Sequence, residues 1–446
     1  MHPRKIVKKL IPRKLFAAVE PYGHLAEAFL YNCKAGFPGR GLKVIGVTGT
    51  NGKTTTTFMI HKMLNEAGIK TGIISTVGWG AGPEITPQVQ HYTSVPVPVL
   101  MRRLKKMKQE KVEWLVLETT SHALAQHRVF GVPYQVAVFT NLTHEHLAYH
   151  RTFERYRTAK VRLFKIANRH GLRTGIINLD DPNASYFAEA IRNRVFYSVH
   201  IPDESKANGM LLDPIGPAQC AWASKIDLKP SGVSYTATFG EDKYHIKTQV
   251  PGSFNVDNSL AALCVGRVLG LTPEQIEKGI AALPSVEGRM TRIDEGQDFD
   301  AIVDYAHSPD SFEKLFKDLK PVVKGKLIVV FGSQGGGDTE KRPIQGELAG
   351  KYADEVVLTE EDDREEDPQQ IIDEIAAGVQ KSGKTIGRDL FVVHDRPEAI
   401  AFALKRAKKN DTVLFLGKGH EKTIERADGE HPWDEIATAR KTLKNL

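Results

Sequence analysis

The residues from 44 to 57 read Val-Ile-Gly-Val-Thr-Gly-Thr-Asn-Gly-Lys-Thr-Thr-Thr-Thr. Their types and order suit a nucleoside triphosphate. Backbone N–H groups freed by Gly49 and Gly52, with Thr50 and Asn51 between them, can wrap a phosphate, and Lys53 can neutralise charge on its β and γ groups. The hydroxyl of Thr54, followed by Thr55, can reach a Mg²⁺ ion carried by the nucleotide. One position departs from the strict pattern. Val47 stands six residues before the lysine, and the nearest glycine is one place earlier, at Gly46.

Other chemistry-bearing residues follow. Glu118 ends the apolar run Leu115-Val116-Leu117. A carboxylate at the tip of a buried strand, beside a phosphate loop, is expected to hold the nucleotide's metal ion. The segment from 140 to 147 reads Thr-Asn-Leu-Thr-His-Glu-His-Leu. His144 and His146 would share a side on extended backbone but need not in a loop, so spacing leaves each open as a metal ligand or a surface histidine. Lys160, in Tyr156-Arg157-Thr158-Ala159-Lys160, reads by itself as a solvated cation on a helix.

These residues need strand tips and helix starts to position them. From 42 to about 200 the pattern alternates, with strands expected at 43–47, 71–76, 114–118, 136–141 and 174–179 and helices at 54–67 and 97–109. That is an α/β fold, a doubly wound and mostly parallel sheet. Residues 233–239 and 243–250 alternate about Gly240-Glu241-Asp242 and predict a β-hairpin, followed by helices at 255–269 and 272–282. A linker is expected at 284–288. A second α/β series, Rossmann-like, follows with strands at 301–305, 327–332, 355–359, 390–394 and 412–417. The expected organisation is a helical extension (1–41), a central domain (42–285) and a C-terminal domain (286–446). The acidic run from Glu360 to Asp367 follows a strand end, where ligands bind in such sheets.

Composition narrows the class. The 446 residues include 41% hydrophobic and 26% charged types, ordinary for a globular protein. No apolar run approaches the ~18 residues of a membrane span. Cys33, Cys220 and Cys264 lie far apart and form no framework, which predicts a reducing, cytoplasmic setting. A formal charge of +7 suits polyanionic small-molecule substrates, and no nucleic-acid recognition motif accompanies it. The first fourteen residues carry six Lys or Arg, but no apolar core of a secretory signal follows. Ile6, Leu10, Leu15 and Phe16 among those cations either dock a helix on the domain, the preferred reading, or touch anionic lipid without inserting. A monomer is expected.

Taken in order, Gly46 to Thr54, Glu118-Thr119-Thr120-Ser121-His122, Asn141 to His146 and Ala159-Lys160 resemble the Mur ligases. These are ATP-dependent enzymes that add amino acids to the peptidoglycan precursor. The resemblance runs from about residue 42 to the C-terminus, is strongest to the members that add the third residue, and accounts for the offset glycine. Gly252 to Asn258, Gly288-Arg289-Met290, Asp304 to Asp310, Lys341-Arg342-Pro343 and Gly417 to Glu421 extend it. It implies that Lys53, Glu118, His146 and Lys160 are catalytic. Thr54, Glu118, His146 and Lys160 would hold two Mg²⁺ ions, with Lys160 carbamylated so that it becomes a carboxylate-like ligand. His144 aligns with a non-ligand position. Asn258 would meet adenine, and Arg289, Asp304 and His307 would contact nucleotide and phosphate. Substrate contacts are implied for Thr93, Ser94, Thr120, Ser121, Arg128, Lys341, Arg342, Arg364, Gly417 and Glu421.

The implied activity is addition of a diamino acid, meso-diaminopimelate or L-lysine, to UDP-N-acetylmuramoyl-L-alanyl-D-glutamate through an acyl phosphate. Two rivals are a Mur-type ligase acting on another γ-glutamyl or lipid-linked carboxylate, and a scaffold that binds nucleotide without catalysis. Four departures from the family's pattern bear on this. Only 41 residues precede the phosphate-loop strand, too few for the family's front domain of roughly a hundred residues. The family's Asp-Asn-Pro-Arg reads Glu361-Asp362-Asp363-Arg364, and its Gly-Asp-Arg-Asp reads Gly337-Asp338-Thr339-Glu340. One arginine is lost and acids are gained, which predicts a more cationic acceptor, such as lysine. Thr93-Ser94-Val95-Pro96 stands where the family has Asn-Thr-Thr, so different sugar-peptide contacts are expected.

Overall fold

The structure, a computed structural model, describes residues 13–88, 95–143, 145–200, 219–229 and 231–446. Thr93, Ser94 and His144 lie outside the described residues, as do Ile6 and Leu10. Eleven strands form the first sheet: β1 (Lys43–Thr48), β2 (Thr71–Ile74), β3 (Gly78–Ala81), β4 (Thr86–Pro87), β5 (Trp114–Glu118), β6 (Tyr134–Phe139), β7 (Thr174–Asn178), β8 (Asn193–Ser198), β9 (Cys220–Lys229), β10 (Gly232–Phe239) and β11 (Asp242–Thr248). Their order is β11-β10-β9-β8-β7-β6-β1-β5-β2-β3-β4. The run from β9 to β2 is parallel and both flanks are antiparallel. The expected hairpin is the β10–β11 pair.

Alternation along β1 builds both layers. Ile45 and Val47 join a core with Met59, Met63 and Leu260, under helices Lys53–Glu66 and Phe254–Val268. Val44 faces the other way, toward Leu104, Tyr134 and Leu163, under helices Val97–Gln109 and Phe153–Ala167. Gly46 lies on that second side. A Cβ there would run into the Tyr134 ring and Leu163. The glycine that offsets the phosphate-loop motif is thus a packing residue inside the strand.

A second sheet has the order β12 (Thr291–Ile293), β13 (Asp300–Asp304), β17 (Thr412–Leu416), β14 (Leu327–Phe331), β15 (Glu355–Leu358), β16 (Leu390–Val392), parallel except for β12. A two-stranded ribbon, β18 (Thr423–Arg426) with β19 (Gly429–Pro432), follows β17. Sequence periodicity did not mark β3, β8, β9 or the ribbon. β3 is glycine and alanine apart from Trp79, and the far half of β9 and most of β19 are exposed, so these three carry no clean apolar alternation. Among the described residues no helix is long and apolar enough to cross a membrane.

Candidate functional site

Parallel strands all deliver their carboxyl ends to one edge. In the first sheet β1, β5 and β6 sit side by side, so Gly49–Lys53, Glu118–Ser121 and Thr140–His146 converge. In the second, β13, β15 and β17 deliver Asp304–His307, Glu360–Arg364 and Gly417–Glu421. Residues from both edges line one cleft, including Lys53, Thr54, Glu118, His146, Arg289, His307, Lys341, Glu361, Gly417 and Glu421.

Gly52 caps helix Lys53–Glu66 with φ +80°, and a Cβ there would strike the Asn258 amide. Only glycine meets both demands. Lys53 opens the helix and donates from Nζ to the Thr50 carbonyl at 2.6 Å. Burial lowers its pKa, against the pull of Glu118 and Glu145. Thr54 Oγ donates to Glu118 at 3.1 and 3.2 Å. Thr76 reaches the same carboxylate with its N–H at 3.1 Å and its hydroxyl at 3.2 Å. A carboxylate ringed by hydroxyls is an oxygen-donor set of the kind Mg²⁺ takes, so these residues fit the ion.

A second lobe lies beside the phosphate loop, lined by Asn51, Gly52, Thr55, Phe254, Asn255, Asn258, Arg289, Asp304 and His307. Asn258 accepts from Thr56 at 3.1 Å and donates to Asn255 at 2.8 Å, which fixes its amide. Asp304 accepts from the N–H groups of Met290 and Ala306, both at 2.8 Å, while burial raises its pKa. Arg289 lies over the Tyr305 ring at 4.5 Å and donates to Thr54 Oγ at 3.3 Å. Its Nε is buried without a hydrogen-bond partner among the described residues, an opening that a phosphate oxygen would fill.

Lys160 is fully buried and donates to the Gly49 carbonyl, with Nζ 4.6 Å from the centre of the Tyr156 ring. Burial, then Lys53, lowers its pKa well below the ordinary value. The solvated cation read from sequence alone is therefore corrected: the side chain is buried. An uncharged amine in this position can add to carbon dioxide. His146 packs against the same tyrosine at 6.0 Å and against His122 at 4.9 Å. Burial lowers its pKa to about 4 against the opposing charge of Glu145, and Lys160 and Lys53 add smaller lowering contributions. A neutral imidazole is the form that binds metal.

Glu145 was passed over in the sequence because two histidines flank it. It accepts from His307 at 3.0 Å. Burial opposes its charge, but His146, His307 and Lys53 outweigh that and hold the carboxyl far below its usual range. Tyr156, whose hydroxyl lies 3.1 Å from Thr50 Oγ, was missed as well.

At the far end of the cleft Glu421 accepts from Tyr305 at 3.0 Å and pairs with Lys418 at 2.6 Å, and Lys418 also donates to Asp362 at 2.8 Å. Glu361 lies against Gly417, where a Cβ would strike its carboxylate, and has no ion pair among the described residues. Burial raises its pKa. Lys341 reaches the His307 carbonyl at 3.2 Å. Two expected contacts are otherwise engaged. Arg342 is fully buried and held by Glu366, Glu374 and the Gln334 carbonyl. Arg364 pairs through Nε with Glu425 of β18 at 2.8 Å and donates to the Gly335 carbonyl at 3.2 Å. On the opposite side, Thr120 lines the cleft and Arg128 lies near Glu118 and Thr120 in an adjoining pocket. Ser121 is bonded to His150 at 3.0 Å.

The buried histidines predict an acid-sensitive fold. His61 and His150 have pKa values lowered to about 4, mainly by burial. Both are neutral in the fold, whereas the unfolded chain takes up protons near pH 6.5. Stability is full above that value and falls as pH drops from about 6.5 toward 4, by about 1.4 kcal/mol per pH unit for each proton withheld. Urea midpoints at pH 7.5, 6 and 5 check this, and a constant midpoint would contradict it.

The sequence matches the Mur ligase middle domain over residues 47–266 and the Mur ligase, glutamate ligase domain over residues 288–419. It is 37% identical over 439 residues to a UDP-N-acetylmuramyl-tripeptide synthetase of Roseiflexus sp. (strain RS-1), covering 96% of this chain and 83% of that one. It is 38% identical over 431 residues to a UDP-N-acetylmuramoyl-L-alanyl-D-glutamate–2,6-diaminopimelate ligase of Geobacillus thermodenitrificans (strain NG80-2), covering 96% and 84%. A solved structure of such a diaminopimelate ligase superposes with a TM-score of 0.60 at 30% identity, covering 91% of this chain and 78% of that one. Folylpolyglutamate synthase of Mycobacterium tuberculosis complexed with ADP shares the fold at a TM-score of 0.69 and 15% identity, covering 88% and 91%.

Proposed function

Since the chain belongs to the Mur ligases, ATP-dependent acid–amino-acid ligases, we propose that its cleft joins a diamino acid to the glutamate carboxylate of UDP-N-acetylmuramoyl-L-alanyl-D-glutamate. The observation that carries this is convergence. Lys53, the Thr54–Glu118 pair, His146 and the open Nε of Arg289 come from two sheets into one cleft. Such a set suits phosphoryl transfer to a carboxylate.

In this reading the substrate carboxylate attacks the γ-phosphorus. An O–P bond forms, the bond to the β-phosphate oxygen breaks, and ADP leaves. Lys53 and Arg289 balance charge on the transferring group. Glu118 with Thr54, and His146 with carbamylated Lys160, would hold Mg²⁺, which supplies further charge neutralisation at the phosphates. The amine then attacks the acyl carbon, phosphate departs with its bonding pair, and the nitrogen loses a proton. Water must be kept out meanwhile, since it would hydrolyse the acyl phosphate. Asn51–Asp310 at 2.8 Å and Glu145–His307 bridge the two halves on either side of the loop and support closure. Carbamylation of Lys160 would appear as a carbon dioxide adduct on this residue in mass spectra taken without acid, and its absence would remove that ligand.

The acceptor end favours a cation without a second carboxylate. Glu361 has no ion pair among the described residues, Glu425 takes the Nε of Arg364, and Glu366 with Glu374 holds the terminal nitrogens of Arg342. L-Lysine fits this better than diaminopimelate. The test is ATP-dependent phosphate release with the UDP-dipeptide and lysine, ornithine or diaminopimelate supplied separately. Release that requires an added diamino acid is expected, most strongly with lysine. No release with any of them would overturn the assignment of substrate.

A further inference from the structure

We propose that helices Arg13–Ala35 and Val97–Gln109 together form a face that docks on an anionic lipid surface. The first helix turns Ala28 and Asn32 inward and presents Tyr22, Ala26, Phe29, Leu30 and Cys33 outward at helical spacing. Tyr22 is 72% exposed, Phe29 49% and Leu30 66%, values unusual for side chains of this size on one face. The strip continues beyond the helix. The Phe29 ring lies 6.2 Å from Phe130, itself 37% exposed, and 6.4 Å from Phe37.

The apolar strip runs directly into cations. Arg40 lies over Phe37 at 4.5 Å, and its carbonyl accepts from Lys108 at 3.1 Å. Lys108 belongs to helix Val97–Gln109, which packs against the first helix. That helix has no acidic residue, and Arg102, Lys105, Lys106 and Lys108 are all exposed on it. Arg102 and Lys105 have no ion pair among the described residues. The acids of the first helix, Glu20 and Glu27, lie within 3.8 and 3.6 Å of His24 and leave the strip itself uncharged. The sequence ahead of it adds Arg4, Lys5, Lys8 and Lys9 between Ile6, Val7, Leu10 and Ile11.

This combination selects the partner. The apolar residues sit on a convex helix rather than in a groove, so no shaped protein ligand is called for. Exposed cations on long flexible stems continue from them through Arg40 and Lys108 onto helix Val97–Gln109, and among the described residues neither that helix nor the strip carries an acid. A bilayer surface meets both halves at once. Its acyl boundary takes the aromatic and leucine side chains, while lipid phosphates take the Lys and Arg heads. Each cation near an anionic leaflet adds to binding, and the contribution weakens with salt.

The test is sedimentation of the full chain with phosphatidylcholine vesicles, with and without phosphatidylglycerol. Binding to the anionic vesicles, its loss on raising salt, and little binding to the neutral ones are expected. Phe29→Ser with Leu30→Ser, and separately Arg102→Glu with Lys105→Glu, should each weaken the partition at least about tenfold. ATP-dependent phosphate release should stay unchanged, which shows that both variants fold. Failure to bind anionic vesicles, or equal binding by wild type and both variants, overturns the proposal. So does concentration-dependent dimerisation, by light scattering, that the Phe29→Ser, Leu30→Ser pair abolishes, because a second copy would then own the face.

Discussion

Lys53→Ala is expected to lower kcat/KM for amine-dependent phosphate release by about 10³-fold, with the fold intact. The side chain is the cation at the first position of the helix that the phosphate loop leads into, and it is buried among Glu118, Glu145 and Arg289. Removing one preorganised charge from a water-poor site costs more than it would in solvent, on the order of 10²–10³ for a single donor, and a full charge lies at the upper end. The loss should fall on kcat more than on KM for the amino acid, because the proposed amine site lies at the other end of the cleft, near Glu361 and Glu421. Steady-state kinetics with a thermal melt decide it. A variant that melts normally and keeps a tenth of the wild-type rate would remove Lys53 from the transfer step.

Glu425→Ala should change which amino acid is used. In the native chain Glu425 neutralises Arg364, and the β18 backbone adds a second tie, Arg364 N–H to the Glu425 carbonyl at 3.1 Å. Truncating the glutamate frees the guanidinium Nε while the backbone tie keeps the loop in place. An unpaired guanidinium next to an acceptor site attracts a distal carboxylate, and a charge-assisted pair is worth about 1.5–3 kcal/mol. The ratio of kcat/KM for diaminopimelate over lysine is expected to rise about 10- to 100-fold. An unchanged ratio would show that Arg364 is too remote to read the acceptor. A native enzyme that already prefers diaminopimelate strongly would overturn the account of both residues.

Local signals carried the first half of the site well. The phosphate loop, Glu118 and the segment holding His144 and His146 each follow an apolar strand, and strand-then-polar is legible in one dimension, though only the resemblance chose His146 over His144. Parallel pairing then brings those tips together, so three separate motifs become one place. Lys160 was legible only through resemblance. Nothing in its own helix says that it is buried, since the groups that enclose it come from the loop at Gly49 and from Tyr156. The charge state of the acceptor end was not legible at all. Arg364 meets Glu425 from 61 residues away, on a ribbon of two four-residue strands too short to show in the pattern. Arg342 looked like a ligand for substrate because its neighbours did, but Glu366 and Glu374 reach it from the next helix and its approach. Opposite charges distant in sequence cancel only in three dimensions, and a linear reading counts them twice.

Three contacts around the phosphate loop, Asn51 with Asp310, Thr54 with Arg289 and Glu145 with His307, each take one partner from either side of residues 284–288. The site is therefore a property of an angle. A small rotation about that short connection would part all three contacts together and leave each half intact but chemically mute. The molecule carries its own gauge: a ruler fixed between the two halves would read site assembly directly, with no turnover needed.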